Sequence, residues 1–137
     1  MMPTTFDAFY ESLQGSLGED LSKLEIDVDR QELRLVAPDA NHIAVTIAAA
    51  AENNLTIKIG DAVEFTTPPN DPEGQDEAAT ALKAALAGDI REETWRRDGA
   101  LLATRLICPG AQWTEAKEAT VMTDDSSERS VLTYQPY

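Results

Sequence analysis

The most constraining feature of the sequence is the alternation of apolar and polar residues in two long runs, with only short turn segments between one alternating stretch and the next. A repeat of two residues is typical of strands that bury one face. Connections of a few residues suit hairpins and are too short for the crossovers that parallel strands require. We therefore expect the strands of each run to pair antiparallel.

The first run predicts a five-strand meander. The dipeptide Gly60-Asp61 is a two-residue hairpin signal before the fifth strand, and Pro68 and Pro69, which cannot donate to a ladder, break the sheet after it. The apolar positions of the five strands are, in order, Leu24, Ile26 and Val28; Leu33 and Leu35; Ile43, Val45 and Ile47; Leu55, Ile57 and Ile59; Val63 and Phe65.

The second run predicts four more strands, over residues 90–97, 100–108, 111–122 and 131–135. Asp98-Gly99 is a strong type I′ hairpin signal between the first two. Since the connections are again short, we expect a four-strand meander.

A predicted helix precedes each run. In the first helix, Thr4 or Thr5 caps an amphipathic stretch, and Gly18 suits the left-handed position that closes it. In the second, Asp71-Pro72 reads as the N-cap and first residue, and Gly88 closes the helix. The order is helix, five-strand meander, helix, four-strand meander.

These elements predict a single α+β domain over residues 1–137. Two helices are expected to pack on one face of a curved, mostly antiparallel sheet of about eight to nine strands.

The net charge excludes several classes of partner. The chain has 25 acidic and 11 basic residues, a net charge of -14, and residues 1–89 hold 17 of the acids and 5 of the bases. Nucleic acids and anionic membrane surfaces would repel such a chain. The charge favours a basic protein or peptide, although surplus carboxylates also serve simply to keep a protein dispersed.

The reactive residue types are scarce. Cys108 is the only cysteine and His42 the only histidine, so a Cys- and His-rich zinc site is excluded. No nucleotide-binding or nucleophile motif is present, and we assign no catalytic residue, metal or cofactor. There is no apolar run of membrane-span length and no signal-peptide pattern at the start, so a cytoplasmic location is expected.

Three carboxylates alternate along the first predicted strand. Glu25, Asp27 and Asp29 should emerge on one face, where they could hold a hard cation or meet a row of basic side chains on a partner. The alternative is a solvated strand face whose charges are relieved by Arg34 on the neighbouring strand.

The hairpin around Trp95 is the second candidate for a binding surface. Trp95 beside Arg96 has the composition of an interface anchor. Alternatively, Trp95 fills the core while cross-strand Glu–Arg pairs cover the rest. Trp113 is expected one or two strands away. The residues predicted to bind a partner are therefore Glu25, Asp27, Asp29, Trp95, Arg96 and Trp113.

The general profile of a small, very acidic α+β chain resembles that of bacterial immunity proteins that neutralise secreted toxins, and that of the acidic chaperones of secretion systems. We favour a non-enzymatic, immunity- or inhibitor-like protein that binds a basic partner. One alternative is a chaperone-like homodimer that offers its edge strands to an unfolded segment. Another is a small-ligand-binding domain or carboxylate-based enzyme with a pocket between helix and sheet, lined by Trp95, Trp113, His42 or Tyr134.

Overall fold

The computed structural model describes residues 4–61, 63–116 and 127–137. The helices are α1 (Thr5–Leu17) and α2 (Pro72–Ala87), and two short 3-10 helices span Gly18–Lys23 and Ala51–Asn53. The strands are β1 (Glu25–Asp27), β2 (Glu32–Leu35), β3 (Val45–Ala49), β4 (Leu55–Ile59), β5 (Val63–Thr67), β6 (Arg91–Arg97), β7 (Ala100–Cys108), β8 (Ala111–Ala116) and β9 (Glu128–Thr133). The α+β class and the order of the elements are confirmed.

The strands form two antiparallel sheets rather than the single curved sheet that was expected. The first has the order β1-β2-β3-β4-β5, which is the predicted meander. The second has the order β8-β7-β6-β9, so β9 lies beside β6 and the four strands form a Greek key instead of a meander. The last part of the strand predicted over 111–122 falls in residues 117–126, which join β8 to β9 and lie outside the described residues.

The main core lies between the helices and one face of the first sheet. One row across that face joins Leu33, Ile47, Ile57 and Phe65, and the first three are almost completely buried. Both helices contact β3. The buried apolar residues of the helices are Phe6, Phe9, Leu13 and Leu17 in α1 and Ala78, Ala81, Leu82, Ala84, Ala85 and Leu86 in α2.

The helix ends follow the capping residues of the sequence. Thr4 accepts a hydrogen bond from the backbone N–H of Asp7, whose carboxylate accepts one from the Thr4 N–H, so the two form a capping box. The Asp71 carboxylate accepts from the N–H of Gly74, and Gly88 is left-handed. Gly18 has a positive φ of 57°, but its ψ of -122° places it outside the left-handed helical region that was predicted. Within the described residues, neither helix is long and apolar enough to cross a membrane.

The first strand is shorter than predicted because a turn begins inside it. The Asp27 carboxylate accepts a hydrogen bond of 3.0 Å from the backbone N–H of Arg30. Such a side-chain bond offers the backbone an alternative to the ladder. β1 therefore ends at Asp27, Val28 is 63% exposed, and Asp29 lies in the turn rather than on a strand face.

Residues 134–137 cross the molecule and connect several elements. The backbone N–H of Gln135 donates to the carbonyl of Asn41 at 2.7 Å, and that of Tyr137 donates to the carbonyl of Leu86 at 3.0 Å. The Tyr137 hydroxyl donates to the carbonyl of Ile43 at 2.6 Å. This segment therefore attaches the stretch before β3 to the end of α2.

Gly88 provides a test of how closely residues 134–137 pack against the end of α2. Its φ is +73°, and a Cβ atom there would lie 2.4 Å from the backbone nitrogen of Pro136. We expect Gly88→Ala to lower the free energy of unfolding by about 2 kcal/mol or more, because left-handed strain adds to a steric conflict with backbone. Urea denaturation measures the change.

Gly15→Ala is the matched control. Gly15 lies within α1 and nothing is within 4 Å of its Cβ position, so this change should stabilise the protein by about 0.5–1 kcal/mol. Equal stabilities of wild type and Gly88→Ala would contradict the close approach of Pro136 to Gly88.

Candidate functional site

The predicted row of carboxylates on the first strand is not formed. Glu25 and Asp27 are exposed on β1, and Asp29 is displaced into the turn. The Arg34 guanidinium lies 3.4 Å from the Glu25 carboxylate, and that of Arg30 lies 3.7 Å from the Asp27 carboxylate. Because an arginine faces each of the two strand carboxylates, this surface is less acidic than the sequence alone indicated.

Trp95 is a buried residue of the second sheet. Its side chain is 4% exposed, and it forms a small cluster with Ala103 and Leu102. The guanidinium carbons of Arg105 and Arg129 lie 5.2 Å and 6.0 Å from its ring centroid, which is the geometry of cation–π contacts. This position fits the core alternative rather than an exposed anchor.

A buried ion cluster lies beside Trp95. The Glu93 side chain is completely buried. One of its oxygens accepts bonds of 3.0 Å and 2.8 Å from Nε and Nη2 of Arg105, and the other accepts a bond from Nη2 of Arg129. Two arginines thus compensate one buried carboxylate, so the cross-strand Glu–Arg pairing expected on this face is present.

Trp113 lies on the opposite face of the second sheet from Trp95. It pairs with Leu106 of β7, whereas Trp95 pairs with Ala103, and positions three apart in a strand face opposite ways. The Trp113 ring stacks on Phe65 at a centroid distance of 6.3 Å and belongs to the main core. The two tryptophans therefore form no shared aromatic patch.

Arg96 is the one residue of the predicted Trp95 hairpin site that is exposed and borders a cavity. A groove of about 600 Å³ lies between the β6–β7 hairpin on one side and residues 37–44 with the β4–β5 turn on the other. This volume is within the range of ligand pockets. The polar and charged residues that line it include Asp39, His42, Asp61, Glu92, Arg96 and Tyr134. Neither tryptophan lines it.

The hairpin forms one wall of the groove because one face of β6 passes from the edge of the main core, at the start of the strand, to the groove further along. Near the start of β6, the pair of Glu92 and Leu106 adjoins the main core. Further along, the same face carries Thr94, paired with Thr104, and then Arg96, paired with Leu101. These residues line the groove, and Leu101 is 41% exposed.

Two carboxylates, those of Glu92 and Asp61, line one end of the groove together with Tyr134. Burial, the charge of Glu92 and its hydrogen bond to the hydroxyl, and the charge of Asp61 together raise the pKa of Tyr134 to about 12. A nearby negative charge disfavours the phenolate. The hydrogen bond with the hydroxyl holds the Glu92 carboxylate against Tyr134, and Asp61 adds a second negative charge nearby.

His42 is held in the wall by contacts at both ring nitrogens. Its Nδ1 lies 2.7 Å from the Asp39 carboxylate, and its Nε2 lies 3.2 Å from the carbonyl oxygen of Pro136. The hydrogen bond from His42, followed by that from the backbone of Asn41, holds the pKa of Asp39 below its usual range. Both contact atoms are acceptor oxygens: the Asp39 carboxylate orients the ring, and the Pro136 carbonyl stands against its Nε2 edge.

The remaining reactive groups of the described residues form no cluster. Among the described residues, no three His, Cys, Asp or Glu side chains are grouped so that they could hold a metal ion. Cys108 is buried, and burial raises the pKa of its thiol, so the reactive thiolate is disfavoured.

The sequence contained a partial signal for the groove. Of the four residues predicted to line a pocket, His42 and Tyr134 line the groove, whereas Trp95 and Trp113 do not. Glu92 and Asp61 were not identified, because nothing local places a turn of the first sheet near a strand of the second. The alternation of Glu92, Thr94 and Arg96 along β6 was the one pattern that could have indicated a polar wall.

Truncation of Trp95 tests its assignment to the core. We expect Trp95→Ala to lower the free energy of unfolding by about 3–5 kcal/mol, because it removes a buried aromatic side chain. Arg96→Ala, at the neighbouring exposed position, should change it by no more than about 0.5 kcal/mol. Similar small effects of both changes, measured by urea denaturation, would mean that Trp95 is a surface residue.

The two shifted tyrosines predict a loss of stability at high pH. Burial also raises the pKa of Tyr137 to about 12, with a smaller contribution from Asp39. A raised pKa means that folding favours the neutral phenol. Its stabilising contribution is therefore complete below the unfolded value of 10.0 and is lost as the pH rises towards 12.

This prediction is checked by titrating the phenolate absorbance and the unfolding free energy together. Tyr134→Phe and Tyr137→Phe should each remove part of the alkaline loss of stability. If both tyrosines ionise near pH 10 in the intact fold, the described surroundings of their hydroxyls are wrong.

Comparison with known proteins gives no matching family model, no matching curated protein and no matching solved structure.

Proposed function

We propose that this chain is a non-enzymatic binding protein that recognises a basic protein partner through the groove between the β6–β7 hairpin and residues 37–44. The observation that carries the proposal is the presence of two carboxylates, Asp61 and Glu92, in one open groove, with a third, Asp39, that pairs with His42 in the wall. A partner segment rich in Lys or Arg is the complementary occupant.

The distribution of charge supports this groove over the first sheet. On the outer face of that sheet, Lys58 pairs in register with both Thr46 and Glu64, and Arg34 pairs with Glu25. Basic residues thus alternate with acidic ones there. In the groove, Arg96 is the only Lys or Arg among the described lining residues, and it stands at the hairpin end, away from Glu92.

The contacts of His42 support binding rather than catalysis. A general base must reach a proton on the substrate with a free ring nitrogen. Here the Pro136 carbonyl lies 3.2 Å from Nε2 and stands where a substrate proton would have to approach, while the Asp39 carboxylate lies 2.7 Å from Nδ1. The net charge of -14 adds long-range attraction for a cationic partner, which raises the rate of encounter.

The proposal predicts salt-dependent association with a cationic probe. The association rate constant of a fluorescently labelled oligolysine peptide should fall at least about tenfold between about 0.1 M and 1 M salt, as the Debye length falls from about 10 Å to about 3 Å. Stopped-flow fluorescence measures this rate. No detectable binding at low salt would refute recognition of a basic partner.

Two double variants with the same change in net charge locate the binding site. Asp61→Asn/Glu92→Gln removes two carboxylates of the groove, and we expect the peptide to bind it about tenfold more weakly, which is about 1.4 kcal/mol. Glu11→Gln/Glu19→Gln removes two exposed carboxylates on α1 and the following 3-10 helix, and should weaken binding less than about twofold. Equal losses would show that net charge, and not the groove, governs association.

A further inference from the structure

The charges along β6 have a definite order within the groove. Glu92, Thr94 and Arg96 lie on one face of the strand, and all three line the groove. Since a strand rises about 3.3 Å per residue, the positions of Glu92 and Arg96 are about 13 Å apart. The wall therefore presents an anionic end and a cationic end, separated by four residues of extended backbone.

Each end is reinforced by its surroundings in a different way. At the anionic end, Asp61 of the β4–β5 turn adds a second carboxylate near Glu92, and both act on the Tyr134 hydroxyl. At the cationic end, Arg96 is exposed and pairs in register with Leu101 of β7 and with Glu128 of β9, of which Leu101 lines the groove. The middle of the wall is formed by the hydroxyl-bearing Thr94 and Thr104, which offer hydrogen bonds without charge.

The opposite wall contains several small side chains beside Asp39 and His42. Ala37, Ala40 and Ala44 line the groove together with Ile43. Side chains of this size leave space for the backbone of a second chain, and an extended chain has the same two-residue repeat as the charged wall. The repeat of the charges on β6 therefore matches an extended polypeptide lying along it.

Resting on the proposed recognition of a basic partner, we infer that the groove selects an extended segment in which a Lys or Arg is followed or preceded, four residues away, by an Asp or Glu. The basic side chain meets Glu92 and Asp61, while the acidic side chain meets Arg96. Either chain direction satisfies this pattern, because only the spacing of the two charges along β6 is fixed.

Three labelled peptides of equal length test the spacing. Each has Thr and Val spacers, which favour an extended chain. The first carries Lys and Glu four residues apart, the second carries the same pair two residues apart, and the third carries Lys at both positions of the first. Fluorescence anisotropy with the wild-type protein should give at least about tenfold tighter binding of the first peptide than of the second.

Substitution at Arg96 then tests whether this residue binds the acidic side chain of the peptide. Arg96→Glu should reverse the preference, so that the peptide with two lysines binds at least about tenfold more tightly than the Lys/Glu peptide. Arg96→Gln is the matched uncharged control, and its dissociation constants for these two peptides should agree within about threefold. Circular dichroism and urea denaturation of each variant verify that the fold is retained, as expected for an exposed position.

The outcomes separate this inference from the proposed function. One outcome is that the third peptide binds wild type at least as tightly as the first and that Arg96→Glu leaves the ratio of their dissociation constants unchanged. The spacing rule is then wrong, while recognition of a basic partner stands. If the Lys/Glu peptides of both spacings bind equally, the spacing rule is also wrong. If none of the three peptides binds, both proposals fail.

Discussion

The hydrogen bonds of residues 134–137 are the interactions on which the shape of the groove depends. The backbone N–H of Tyr134 donates to the carbonyl of Ile90, just before β6, and that of Gln135 donates to the carbonyl of Asn41. The next contact, between Pro136 and His42, lies in the wall itself. The segment thus fixes the stretch around His42 at a set distance from the second sheet, and the space between them is the groove.

The electrostatic character of the molecule follows from local pairing more than from the total charge. The buried Glu93 carboxylate is surrounded by two arginines and contributes no net negative field to the outer face of the second sheet. The β1 carboxylates are likewise each faced by an arginine. The acids of the groove differ, because Glu92 and Asp61 are placed beside a phenol rather than beside a guanidinium. A net charge of -14 predicts attraction for cations but does not say where they would bind.

Local sequence signals predicted the helices and the tight turns well. These signals depend on residues within a few positions of one another. Examples are the Asp71 cap, the left-handed Gly88, and the hairpin turn at Asp98 and Gly99, where both residues have a positive φ. The β1 strand was predicted too long because the alternation of Leu24, Ile26 and Val28 continues past the point where Asp27 bonds to the Arg30 backbone.

The long-range features could not be predicted in this way. The pairing of β9 with β6 depends on where the chain returns after β8, and no residue in either strand encodes that order locally. The groove depends in turn on the relative placement of two sheets, so its lining residues are far apart in sequence. The burial of Trp95 was left open for the same reason, since its cover comes from β7 and β9.

The two faces of β6 leave this strand little freedom to vary. One face carries Glu93 and Trp95 inside the ion cluster, and the other carries Glu92, Thr94 and Arg96 along the groove. A one-residue slip of register would exchange the two sets, burying Arg96 and exposing Trp95 together. An insertion or deletion in this strand should therefore disrupt the ion cluster and the groove together, whereas substitutions of the alanines in the facing wall would reshape the groove alone.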